Sequence, residues 1–355
     1  MHVLLLCFSG MSWWFDACNT TEPPPPVPPV DTTSHDFTWT LSTLGDGGSS
    51  VLYDVTIIND TLVYAVGAIY KQDSLGNWDP LPYNVAKWNG RQWELKRVTV
   101  IFRGNLITPP INGIYALSAS DIWLAAGMAI HGDGTTWVGH DVRAITGYDT
   151  LSFTKCWGRN SSDMYFVGLR GSLAHYFSGT WQKLTSGTTV PIQDIWGGVN
   201  QRTGATEIHA VASNTIAYPS GKKLLRIDGS QVTAMSDSGL NVFLNSIWFV
   251  PGSLYYIVGG GFFYSQSVGQ ATIWQGGPNL VTNYYSNAIR GSALNNVFIV
   301  GAYGDVVHFN GHTWKSFQQQ TAVDGNYKAV AVRGNLVIAV GYDGDRAAVA
   351  VGRRN

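Results

Sequence analysis

An apolar, β-rich run ending in Val-Gly, or a near variant, recurs along this chain and limits what it can fold into. The copies are LVYAVG ending at Gly67, IWLAAG at Gly127, MYFVG at Gly168, LYYIVG at Gly259, VFIVG at Gly301 and LVIAVG at Gly341, with a degenerate IHAVA ending at Ala212. Their spacings are 60, 41, 44, 47, 42 and 40 residues. A second short apolar run precedes each copy: YDVTI, GIYAL, KCWG, DIWG, SIWF, AIRG and AVAV. A third strand, a Gly turn and a fourth strand follow, most clearly in AKWNGRQW (86–93), AHYFSGTW (174–181) and VHFNGHTW (307–314). Four short strands in about 40–45 residues make the unit of a β-propeller blade. A helical repeat of that length would need a 3.6-residue period over ten or more residues, and glycines interrupt every candidate.

Composition agrees. The chain has 355 residues, of which 41 are glycine and 13% aromatic. Charged residues are 13%, about half the usual quarter of a soluble protein. With 22 basic and 23 acidic side chains the net charge is −1, which leaves no electrostatic footprint for nucleic acid. A hydrophobic content of 45% excludes wholesale disorder.

The ring has to close, and the spacing of tryptophans shows how. Gly168 to Trp181 is 13 residues, and Gly301 to Trp314 is again 13. Gly67 to Trp93 is 26, the same interval with a 13-residue insertion. Counting 13 from Gly341 reaches position 354, where the chain ends without a tryptophan. The last unit therefore lacks its fourth strand, and FTWTLSTL (37–44), around Trp39, is a spare copy of one. The expected fold is all-β: a seven-bladed β-propeller with four-stranded blades over 37–355. Its last blade is closed by the N-terminal strand 37–44, which satisfies edges that an open sheet leaves unpaired.

The segment before it reads as an address. Residues 3–8 (VLLLCF) and 11–15 (MSWWF) form an apolar stretch of signal-peptide length, too short and interrupted for a membrane span. It ends in Phe15-Asp16-Ala17-Cys18, which resembles the lipobox of bacterial lipoproteins, where the signal is cut before the cysteine and the cysteine is acylated. The start lacks Lys or Arg, and Phe15 and Asp16 depart from that pattern. Six prolines in the eight residues 23–30 make an extended spacer with nothing to bury. The expectation is a signal peptide over 1–17, then a lipid-anchor cysteine and Pro-rich linker over 18–36. With Cys7 in the signal and Cys18 acylated, Cys156 is the one thiol of the folded part, read as a small buried hydrophobe.

The repeat itself resembles bacterial propeller-repeat lipoproteins built from IWG…VG…HYxGxxW units, loosely akin to kelch-like and Asp-box propellers. The best copies run from Cys156-Trp157-Gly158 to Trp181 and from Ile289-Arg290-Gly291 to Trp314. The resemblance covers about 37–352 and implies the fold and an exported, lipid-anchored location at the cell envelope, with the outer membrane as the expected site. It implies no particular chemistry. HGDGTTW (131–137) does not match a true Asp box, and kelch double glycines are not regular.

Most repeated side chains read as structural. Trp157, Trp196 and Trp248 share a position with Tyr115, Arg290, Thr56 and Ala331, and large residues there pack blade on blade. Trp93, Trp181 and Trp314 form a second such set. His175, His308 and Lys87 each stand six residues before their tryptophan, and a lysine in that place argues against a metal ring. His131, His140 and His209 are scattered, with no HExxH and no cysteine partners. There is no GxSxG elbow and no Walker loop, and Gly259–Gly261 leads into Phe262-Phe263 rather than a helix. Asp343-Gly344-Asp345 reads as a hairpin turn. No metal site and no cofactor are expected. Asp133 with Asp79 or Asp141 are the candidate carboxylate pairs for glycoside hydrolysis.

Departures from the repeat carry the functional expectation. The segments 70–83, 101–112, 131–137 and 260–269 are read as long loops on one rim, touching one another. They would present a binding surface of Trp78, Tyr83, Arg103, His131, Asp133, Trp137 and Phe262, beside Phe263. Exposed aromatics beside Asp, Asn and Arg suit a sugar or a protein. The expected function is a monomeric, non-enzymatic envelope lipoprotein that binds or scaffolds a glycan or protein partner at the cell surface. It would meet the membrane through its lipid anchor only. Alternatives are a glycan-active hydrolase or lyase working in the propeller funnel, and a propeller that assembles with envelope machinery.

Overall fold

The computed structural model describes residues 32–147, 150–214 and 221–355. The signal peptide, Cys7, Cys18 and the proline run lie outside the described residues. Seven four-stranded sheets follow one another in chain order. Blade 1 is Val51–Asn59, Leu62–Ile69, Tyr83–Trp88 and Trp93–Lys96. Blade 2 is Gly113–Ser118, Asp121–Ala125, Ala129–Gly132 and Trp137–His140. Blade 3 is Phe153–Asn160, Asp163–Gly168, Leu173–Phe177 and Thr180–Lys183. Blade 4 is Ile192–Val199, Thr206–Ala212, Lys223–Asp228 and Gln231–Met235. Blade 5 is Leu244–Val250, Leu254–Gly259, Phe262–Ser265 and Gln275–Gly277. Blade 6 is Ser286–Ala293, Asn296–Gly301, Val306–Phe309 and Trp314–Ser316. Blade 7 is Gly325–Arg333, Leu336–Asp343 and Arg346–Arg354, completed by Phe37–Leu44.

That last strand closes the ring as the tryptophan spacing requires. It runs antiparallel to Arg346–Arg354, from Phe37 opposite Arg354 to Leu44 opposite Ala347. Residues just before it are already docked on blade 6. The Thr33 amide donates to the Asn310 carbonyl at 3.1 Å, and the His35 and His308 Nδ1 atoms meet at 2.8 Å.

The core lies between blades. Val66 and Val85 of blade 1 pack with Ile114, Ile122 and Leu124 of blade 2, and Trp157 and Val167 of blade 3 with Ile195 and Ile208 of blade 4. Where the Trp157 ring meets blade 4, the facing residue is Gly197, and any Cβ there would lie 2.7 Å from the indole. Trp248 lies in the same way on Gly291 of blade 6. The shared tryptophan column therefore packs one blade on another.

The Val-Gly signature has a local cause. The inner strands of blades 1, 3, 5, 6 and 7 shift register at Leu52/Asp54, Phe153/Lys155, Leu244/Ser246, Ser286/Ala288 and Tyr327/Ala329. Each shift is a bulge that pushes the inner strand's backbone against its neighbour. At Gly67, Gly168, Gly259, Gly301 and Gly341 a Cβ would overlap the carbonyl oxygen of Val51, Ser152, Phe243, Tyr285 and Asn326 respectively. In these five blades glycine leaves room for the bulge, whereas blade 4 takes the same shift, at Ile192/Asp194, opposite Ala212. The most visible repeat residue therefore marks where the inner strand is re-aimed without being obligatory for it.

Two loops differ from expectation. His131 lies in the third strand of blade 2 and Trp137 opens its fourth, so 133–136 is the turn between them. Phe262 opens the third strand of blade 5, so most of 260–269 is strand and third-to-fourth connection. In antiparallel blades those connections emerge at the end opposite the second-to-third and blade-to-blade connections. A three-residue junction, 126–128, is all that joins the second and third strands of blade 2. Gly turns punctuate both kinds of connection, which is why the sequence did not separate them.

Candidate functional site

The inner strands surround a central channel. At their N-terminal ends it widens into a funnel of about 630 Å³, on the same face as the 70–83 loop. Each blade contributes one side chain at the same level: Tyr53, Asn112, Thr154, Gln193, Asn245, Asn287 and Lys328. Six of these are the extra residue of an inner-strand bulge, Gln193 falling in the Ile192/Asp194 shift of blade 4. A bulge breaks the in-out alternation and re-aims one side chain. Here it turns a polar residue into the funnel. Leu169, Pro191, Phe243 and Tyr285 add an apolar rim.

Below the polar ring is a charged belt. Lys155 Nζ of blade 3 lies 2.9 Å from Asp54 Oδ2 of blade 1. Arg290 of blade 6 grips both carboxylate oxygens of Asp194 on blade 4, each at 2.8 Å. Each pair spans a ring neighbour. Asp54 also accepts from the Ile114 amide of blade 2 at 3.1 Å, and Asp194 from the Ser246 hydroxyl at 2.5 Å and the Ile247 amide of blade 5 at 3.2 Å. Ser246 in turn accepts from the Ile289 amide of blade 6 at 3.2 Å. Burial opposes ionisation of Asp194, but Arg290 and Ser246 outweigh it and hold the carboxyl below its ordinary range. Deeper still, the channel narrows to a cavity of about 150 Å³ lined by Thr56, Tyr115, Trp157, Trp196 and Ala331. That is the column of large repeat residues, and burial pushes the Tyr115 hydroxyl up to about 12.

None of the residues expected to form a loop site lines this funnel. Trp78 is about half exposed and rests beside Gly48. The Arg97 guanidinium lies 3.8 Å over the Tyr83 ring and holds Asp79 at 2.5 Å, so Tyr83 fastens its own loop. Arg103 pairs with Asp141 at 2.7 Å across a small hairpin, Val100–Phe102 with Asn105–Ile107. His131 stacks flat on Trp123 at 4.0 Å and meets Asp121 at 2.9 Å. Asp133 accepts from the Thr135 and Thr136 amides and shapes its turn. Trp137 packs on the core between blades 1 and 2, and Phe262 is buried against Trp314. Trp78, Tyr83 and Arg103 thus belong to the funnel face. His131, Asp133 and Trp137 belong to blade 2's third-to-fourth hairpin. Asp79, Asp141 and Asp133 each have their own partners and form no pair.

His131 is not scattered after all. Like His175 and His308 it stands six residues before a tryptophan, and all three make the same contacts. His175 stacks on Tyr165 at 4.0 Å and meets Asp163 at 2.7 Å, and His308 stacks on Phe298 at 4.4 Å and meets Asn296 at 3.2 Å. The acid or amide opens the second strand in each case. Among the described residues no cluster of His, Cys, Asp or Glu is arranged to hold a metal ion. Cys156 is buried, as expected of a small hydrophobe. The funnel ring was missed, although it has a signal: each member stands three residues before the tryptophan column, as Gln193 does before Trp196.

No family model and no curated protein matches the chain. Solved structures share its fold. A structure described as YCF48 bound to D1 peptide is similar with a TM-score of 0.63 at 14% identity, over 92% of this chain and 100% of that one. The WD40 β-propeller domain of Doa1 gives 0.60 at 13% identity, over 89% and 97%. YCF48 from Cyanidioschyzon merolae gives 0.61 at 14%, over 88% and 98%.

Proposed function

We propose that this chain is a binding or scaffolding propeller that takes part of a protein partner into its central funnel, held at the bacterial cell envelope by a lipid on Cys18. The ring of seven inward side chains, one per blade, carries the reading. A polar, partly apolar-rimmed concavity on a rigid scaffold is built to hold something. The funnel carboxylates support holding over turnover. Asp54 and Asp194 are each engaged by a cation and a backbone amide, an arrangement that fixes charge rather than passing protons. The likeness to a propeller described as bound to a peptide supports a protein partner. A surface glycan is the alternative ligand. The envelope location rests on the lipobox-like Phe15-Asp16-Ala17-Cys18 and the proline run behind it.

A photo-crosslinking amino acid at Tyr285, on the funnel rim, should trap a partner in intact cells, whereas one at Val138, on the outer strand of blade 2, should not. Equal trapping from both sites would sink the funnel reading. Cys18→Ser should release the protein from membranes and abolish palmitate labelling.

A further inference from the structure

Three cations line the funnel. Lys155 and Arg290 are engaged by Asp54 and Asp194. Lys328, from the bulge of blade 7, has no carboxylate partner among the described residues. Its compensation within the protein is the Tyr342 ring, 5.5 Å away. Partial burial lowers its pKa, as expected of an ammonium taken from water without a counter-charge. With two acids and three cations, the funnel is left one positive charge in excess.

The neutral ring members carry a second, independent signal. Asn245 and Asn287 donate their side-chain amides to the Ser286 and Tyr327 carbonyls of the next blade, at 2.9 and 2.8 Å. Gln193 donates to the Ser213 carbonyl at 2.8 Å. A carbonyl partner fixes each nitrogen outward, so each side-chain oxygen is left as a spare acceptor, with no protein donor among the described residues. Spare acceptors call for N–H donors, and the spare ammonium calls for an anion.

Resting on the funnel reading above, we infer that the funnel binds an extended peptide segment bearing a carboxylate, with Lys328 as the anion anchor and Gln193, Asn245 and Asn287 accepting its backbone N–H groups. A peptide supplies repeated N–H donors and a carboxylate within a few residues. Its apolar side chains find the rim at Leu169, Pro191 and Phe243. An acidic glycan supplies the carboxylate without the regular N–H donors.

The test uses three fluorescein-labelled probes: a hexapeptide pool randomised over residues other than Asp and Glu with a free terminal carboxylate, the same pool amidated at that end, and oligogalacturonate. Fluorescence anisotropy should show the free-acid pool binding about tenfold more tightly than the amidated pool. Lys328→Gln should erase that difference, and Lys328→Arg should retain most of it. Thermal melts check that both variants fold. If both peptide pools bind equally and Asn287→Ala weakens both, the anion anchor is wrong while the funnel reading survives. If Lys328-dependent binding goes to oligogalacturonate and not to the peptides, the ligand class is wrong. Binding indifferent to both Lys328→Gln and Asn287→Ala, or none by any probe, overturns the inference and the funnel reading together.

Discussion

Arg290 on blade 6 holds Asp194 on blade 4 through both carboxylate oxygens, each at 2.8 Å, reaching past blade 5 to do so. Blade 5 fills the gap with Ser246, whose hydroxyl donates to the same carboxylate at 2.5 Å. The Asp194 side chain is almost fully buried. Arg290→Met should therefore cost about 3–5 kcal/mol, because it leaves a desolvated carboxylate without its counter-ion. Adding Asp194→Asn should recover part of the loss. Urea unfolding of the two variants measures this, and equal stability of Arg290→Met and the parent would refute it.

Ring closure depends on a tight pairing. Trp39 lies opposite Gly352, and a Cβ on Gly352 would sit 2.7 Å from the indole. Gly352→Val should cost about 1–3 kcal/mol through forced displacement of that ring. Removing residues 37–44 should cost more, since it leaves one edge of the last strand unpaired from Ala347 to Arg354, with only Leu336–Asp343 on its other side. Melting temperatures of the two forms rank the effects. An unchanged melt after deletion would mean the ring does not need its closing strand.

Trp181 packs at 5.0 Å from Tyr176 and 5.4 Å from Phe166, at the junction of blades 2 and 3. Trp181→Ala should lower stability by about 3–5 kcal/mol, the cost of lost burial plus the cavity left behind. Denaturant midpoints report it, and a midpoint within error of the parent would remove the structural role assigned to the Trp93, Trp181 and Trp314 set.

Acid should weaken the fold before it protonates ordinary carboxylates. Burial, with His35, Arg354 and Lys315 adding to it, depresses His308 to about 3. Burial likewise depresses His209 to about 4. In the unfolded chain both titrate near their ordinary value of 6.5. Protons therefore bind the unfolded state preferentially between these limits. The stability from keeping the rings neutral is complete above about pH 6.5 and is lost progressively as pH falls toward about 3–4. Urea midpoints should drop between about pH 7.5 and about pH 5, and less steeply for His308→Gln. Parallel slopes would show that His308 is not a source of the effect.

Blade number and closure were legible in the sequence because each has a local cause. Gly67, Gly168, Gly259, Gly301 and Gly341 recur where a bulge presses the inner strand on its neighbour in blades 1, 3, 5, 6 and 7. Trp181 and Trp314 recur 13 residues after Gly168 and Gly301 in their own blades, and Trp39 supplies the copy missing at the other end. These constraints act within a blade or between adjacent ones, so each leaves a periodic mark. Reading stopped short where two turns share one composition. Asp133-Gly134 resembles a second-to-third loop, yet it joins the third and fourth strands of blade 2 and lies at the other end from Trp78.

The chain alone therefore determined the seven four-stranded units, their order and the strand that closes them, because period and turn chemistry are short-range. Only the tertiary structure decided which side chains share a site. Tyr53, Gln193, Asn287 and Lys328 are far apart along the chain, and each is one unremarkable polar residue in its own blade. They converge because a bulge turns each of them inward and the closed ring brings the inner strands around one axis. Each holds the position three residues before the Trp157 column, which marks it along the chain, but the shared funnel exists only once all seven blades are assembled.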